Sequence, residues 1–126
     1  MPSLRLVDSI TELTASDAGC IAISGSHGGN SSARFALAVR PLLTVFNDAG
    51  GGLDNAGLAA LEYLDQYGLA VCTVAHTSAR IGEASSTLAY GVVSGVNAQA
   101  KALGLEVGWT CQRAIDLTLS THKGSS

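Results

Sequence analysis

The chain has 126 residues, of which 47% are hydrophobic and only 13% charged, and its formal net charge is −3. This length suits one domain, residues 1–126, able to bury a core without disulfides or metals. The absence of any basic run argues against nucleic acid, and the absence of a roughly 20-residue apolar stretch argues against a membrane partner. A typical domain carries about 25% charged residues. The thin charge here leads us to expect a homo-oligomer, with part of the surface covered by another copy. Cys20, Cys72 and Cys111 are widely spaced and form no CxxC pair. They read as reduced, buried thiols. With an opening Met1-Pro2-Ser3-Leu4-Arg5 that lacks a long apolar region, they lead us to expect a cytoplasmic protein without metal or cofactor.

In chain order, Leu4–Val7 reads as a short edge strand. Ser9-Ile10-Thr11-Glu12 fits a capping box opening a short helix over 9–14. Asp17-Ala18-Gly19 reads as a turn. Cys20 to Ser24 is a short apolar run suited to a strand buried on both faces. It leads into Gly25-Ser26-His27-Gly28-Gly29-Asn30, then a helix over 33–39 stopped by Pro41. Leu42 to Phe46 predicts a second buried strand, ending in Asn47-Asp48-Ala49-Gly50. An amphipathic helix is expected over 56–67, with Leu58, Leu61 and Leu64 as its apolar stripe and Gly68 just past its end. Leu69 to Ala75 predicts the third buried strand, opening into His76-Thr77-Ser78-Ala79-Arg80. One long helix is expected over 85–103, with Gly91 and Gly95 letting another backbone approach. Leu105–Val107 reads as a short strand, and Thr110 as the cap of a last helix ending near Leu119, before a frayed tail at 122–126.

Strand–helix alternation predicts an α/β fold: a mostly parallel sheet of about three to five strands flanked by helices. In such a sheet the loops after successive strands emerge on one edge, where open α/β sheets bind ligands. Three loops of similar chemistry would meet there. The first carries Ser24, Ser26, His27 and Asn30; the second Asn47, Asp48, Asp54 and Asn55; the third His76, Ser78, Arg80 and Glu83. The backbone of Gly25, Gly28 and Gly29 would cradle an anion or oxyanion. The stretch is neither a Walker loop nor a GxGxxG fingerprint. Arg80 would anchor an anionic group in two-point fashion, or else pair with Asp48, Asp54 or Glu83. Asn47 and Ser78 are candidate substrate contacts.

Three mechanisms use these parts. Ser24 or Ser26 would attack, with His27 or His76 as base and Asp48 as orienter, although no Gly-x-Ser-x-Gly elbow is present. Alternatively, His27 and Asp48 work as acid and base without a covalent step. In the third, His27, Asp48 and His76 bind a divalent metal, which their local spacing does not favour. The sequence thus leads us to expect a small enzyme acting on a small anionic metabolite, by hydrolysis or other acid/base chemistry at a carbonyl-type centre. The alternative is a ligand-binding or accessory subunit without catalysis.

Overall fold

The structure, a computed structural model, describes residues 3–51 and 59–124. Five strands form one sheet in the order β1 (Leu4–Val7), β2 (Ile21–His27), β3 (Leu43–Asn47), β4 (Ala70–Val74) and β5 (Val93–Val96). The first four run parallel, and β5 is antiparallel to β4. The helices are α1 (Asn30–Val39), α2 (Ala59–Asp65), α3 (Ala84–Tyr90), α4 (Ala98–Leu103) and α5 (Cys111–Gly124). The mostly parallel α/β architecture expected from the sequence is therefore present. Among the described residues no helix is long and apolar enough to cross a membrane.

Strand order explains the layering. Each connection from β1 to β4 advances one strand in the same direction, so right-handed crossovers all fall on one face. Short 3₁₀ turns at Ile10–Glu12 and Ala15–Asp17, together with α1 and α2, occupy that face. They enclose Val7, Ala22, Phe46 and Val71 with Ile10, Leu13, Ala36, Ala60 and Leu64. The opposite side of the same strands carries Ile21, Ile23, Leu43, Val45, Cys72 and Val74. It would lie bare unless the chain changed sides after β4. It does so, and Ala100, Leu105, Cys111, Ala114 and Ile115 cover it.

Several local expectations hold. Ser9 and Glu12 form the capping box, here on a single 3₁₀ turn rather than a helix to residue 14. Thr110 Oγ1 accepts from the Arg113 N–H and caps α5. The helix continues to Gly124, past the expected stop near Leu119. The expected helix over 56–67 is described only from Ala59, and Leu58 lies outside the described residues.

The long helix expected over 85–103 does not form. Its middle, Val93-Ser94-Gly95-Val96, is strand β5 with flanking segments α3 and α4. β-branched valines favour a pleated surface over a helix, and Asn97 caps α4 by accepting from the Ala100 N–H. Leu105–Val107, expected as a strand, is an irregular segment. Leu105 is buried there, and a bridge pairs Val92 with Thr110 nearby.

Asn97 also ties three elements together. Its Oδ1 accepts from the Val71 and Ala100 N–H groups, and its Nδ2 donates to the Leu61 and Leu69 carbonyls. Truncation would strand buried backbone groups, each costing about 1–3 kcal/mol. Asn97→Ala is expected to lose at least about 2 kcal/mol in urea denaturation; a loss under about 0.5 kcal/mol, typical of a surface change, would contradict this bonding scheme.

Candidate functional site

Because β2, β3 and β4 are parallel, their following loops do leave the same edge of the sheet. That edge is not uniformly open. The segment from Ala75 to Ala84 leaves β4 and crosses back over the ends of β3, β2 and β1. Asn47 Nδ2 donates to the Ala79 carbonyl at 3.0 Å, Gly82 N–H to the Gly25 carbonyl at 2.7 Å, and Ala84 N–H to Asp8 Oδ1 at 2.9 Å. This strap covers the ends of β2 and β3 and leaves an accessible space on its own outer side.

The strap reassigns several residues expected to touch ligand. Gly25 lies inside β2, beneath the strap. A Cβ placed on it would be 2.5 Å from Glu83 N and 2.7 Å from the Asp8 carbonyl oxygen. Its glycine identity serves this close approach, and it is not part of an open cradle. Gly28 and Gly29 are buried. Gly28 donates to the Asn47 carbonyl and accepts from the Ala60 N–H, while Gly29 caps α1. Asn47 is fully buried; besides holding Ala79, its Oδ1 accepts from the Ala49 N–H at 2.8 Å. Ser24 is also fully buried and accepts from the Ser26 N–H. Ser26 Oγ accepts from the Ile10 N–H at 2.9 Å, at the start of the first 3₁₀ turn. These side chains hold the edge together.

Asp48 and His76 do meet. Asp48 Oδ1 accepts from the His76 backbone N–H at 3.0 Å and from the Gly50 N–H at 2.8 Å, and lies 3.3 Å from His76 Nδ1. The contact places β3 and β4 side by side at their carboxyl ends, with the Asp48 N–H donating to the Val74 carbonyl. Burial by itself raises the Asp48 pKa. Hydrogen bonds from Gly50, from the Ser94 hydroxyl of β5 and from the His76 N–H and ring outweigh it, so the carboxyl is held below its ordinary range. The imidazole packs on Gly50: a Cβ there would lie 3.3 Å from its Cε1. Gly50 has φ +71° and Ala49 φ +53°, the left-handed region that costs a residue with a side chain energy. Two Asx turns, from Asn47 to Ala49 and from Asp48 to Gly50, support this bend.

His76 lines an open cleft of about 570 Å³ with Ser78, Arg80, Glu83, Ser86 and Tyr90. Ser78 Oγ donates to the Ala75 carbonyl and accepts from the Val92 N–H, so its hydroxyl is committed to the turn. Arg80 is exposed, and among the described residues the ion pairs are Arg5–Asp17 and Asp48–His76, not any of those weighed for Arg80. Asp54 and Asn55 lie outside the described residues. A hollow of similar size, about 540 Å³, between Val96, Lys101 and Leu105 contains no histidine.

His27 stands exposed at the end of β2, level with Asn47 across the sheet. It does not line the cleft. Two strand spacings put its backbone about 10 Å from that of β4. Among the described residues no three His, Cys, Asp or Glu side chains converge as a metal-binding group, so the ligand trio weighed from the sequence does not assemble. The sequence does not single out Ser94 and Tyr90 for the site, because both fall within the one continuous helix that it leads us to expect. The alternating Val93-Ser94-Gly95-Val96 pattern was the available signal for Ser94.

No protein-family model, curated protein or solved structure matches the chain.

The Asp48 environment has a pH signature. A carboxyl with a depressed folded pKa stabilises the fold above its unfolded value and loses that contribution as pH falls through the folded value. The stability difference between wild type and Asp48→Asn is therefore expected to be full at neutral pH and to shrink below about pH 4. Denaturant titrations across that range test this; a difference independent of pH would refute the assignment.

Proposed function

We propose that the chain is a small enzyme in which His76, oriented by Asp48, acts as general acid/base on a small metabolite carrying an anionic group. The observation that carries this reading is the Asp48–His76 pair at the mouth of a cleft that also holds Arg80. A carboxylate on Nδ1 favours the tautomer with its proton there, which frees Nε2 to exchange protons with a ligand. Arg80 would supply the anion contact. Hydrolysis or other proton transfer at a carbonyl-type centre suits these parts. A serine nucleophile has less support, because the Ser26 oxygen already accepts from Ile10 and Ser24 is buried. His27 remains a candidate second proton carrier from outside the cleft.

The test begins with a thermal-shift screen of carboxylate and amide metabolites, since a ligand of the folded state raises its melting temperature. A hit is expected to be turned over by the wild type. His76→Ala is expected to slow turnover about 10²–10⁴-fold, the usual contribution of a general acid/base. Wild-type rates in His76→Ala would sink the reading, and a hit bound but never converted would favour the accessory-subunit alternative.

We also propose that the protein is cytoplasmic and self-associates. The three cysteines are free and buried, in keeping with a reducing compartment. Self-association is supported by the sparse charge and by Leu4 and Leu6, which project from the same side of edge strand β1 and are 44% and 40% exposed. Sedimentation equilibrium is expected to return a multiple of the chain mass; a monomer at all concentrations would reject the oligomer.

A further inference from the structure

The turn Arg80-Ile81-Gly82-Glu83 carries opposite charges at its two ends, and both line the cleft beside His76. Its backbone is closed by the Glu83 N–H donating to the Arg80 carbonyl at 3.3 Å. Such a turn keeps its end Cα atoms within about 7 Å. Opposite charges this close commonly pair with each other, at little gain when exposed. Here the two do not pair, and among the described residues neither side chain takes part in a hydrogen bond.

The turn is firmly held all the same. The Ala79 carbonyl just before it is held by Asn47, the Arg80 N–H donates to Ser86 Oγ at 3.0 Å, and the Gly82 and Ala84 N–H groups are bonded to Gly25 and Asp8. A cation and an anion are thus presented to one space from a fixed backbone. Fixing the backbone in advance lowers the ordering cost of binding.

We propose that the cleft takes a zwitterion: a small metabolite whose carboxylate is held by Arg80 and whose ammonium group is held by Glu83. This rests on the reading of the cleft as the reaction site and narrows its ligand class to α-amino acids and close analogues. A guanidinium engages a carboxylate through two parallel hydrogen bonds, and a carboxylate accepts charge-assisted bonds from an ammonium group. Tyr90, 71% exposed at the end of α3, offers the remainder of such a ligand an aromatic wall. A simple anion would leave Glu83 facing it as a like charge. A zwitterion matches both ends of the turn.

The test uses the common L-amino acids as probes, with their N-acetyl derivatives, which lack the cation, and their amides, which lack the anion. Each is added to the full chain while the ring signals of His76 and Tyr90 are followed by NMR. At least one free amino acid is expected to shift both rings. Its N-acetyl and amide forms are expected to bind about tenfold or more weakly, as for the loss of one charge-assisted hydrogen bond. Glu83→Gln should remove the discrimination against the N-acetyl form, and Arg80→Gln that against the amide. Equal binding of free and N-acetyl forms overturns the zwitterion and leaves a plain carboxylate site, with the acid/base reading intact. If simple carboxylates shift His76 and no free amino acid does, the zwitterion again falls alone. If neither group of probes shifts His76, both readings fail.

Discussion

The buried amide of Asn47 decides which part of the sheet's carboxyl edge stays accessible. A fully buried side-chain amide must satisfy its donors and acceptor within the protein, and Asn47 does so by clasping the Ala79 carbonyl on one side and the Ala49 N–H on the other. The first bond fixes the strap from β4 across the ends of the parallel strands. The second sets the bend that carries Asp48 and Gly50. One side chain thus closes most of the carboxyl edge and shapes the part that stays open. In parallel sheets that edge is the usual ligand site; here the accessible space has moved to the outer side of the strap, around His76.

The Asp48–His76 pair inherits its geometry from backbone, not from a helix face. Asp48 receives two main-chain N–H groups as well as the imidazole, so its charge is compensated and its orientation fixed before any ligand arrives. The left-handed residues Ala49 and Gly50 make that possible, at a conformational cost that the two Asx turns offset. His76 remains half exposed, which leaves the ring reachable from the cleft. A rigid carboxylate beside an accessible imidazole is what the proposed proton transfer requires.

Much of the fold was legible because its signals are local. Cys20–Ser24, Leu42–Phe46 and Leu69–Ala75 are apolar runs that only doubly buried strands readily explain, and Ser9–Glu12 is a self-contained capping box. The reach of Asp48 toward His76 followed from strand ends lying side by side. The residues misread were those whose role depends on a partner far along the chain. Gly25 resembled a ligand cradle because nothing local reveals the Glu83 backbone pressed against it. Ser26 resembled a nucleophile because its true partner, the Ile10 N–H, lies sixteen residues earlier. The segment 85–103 was misread because alanine and leucine around Val92–Val96 mask a strand when averaged over a helical window. Antiparallel β5 exists because β4 needs a neighbour and the chain must change faces, both of which are tertiary demands.

The division of helices between the two faces also bears on how the chain is born. Strands β1–β4 and the helices roofing their first face are synthesised early. The opposite face, with Ile21, Ile23, Val45 and Val74 standing on it, waits for α3, α4 and α5. Until those segments clear the ribosome, the nascent protein has a paired sheet with one greasy side turned to water, a state prone to aggregation and chaperone capture. The segments from Ala84 onward thus shield a face that the earlier strands cannot cover by themselves. Losing them would do its damage through insolubility.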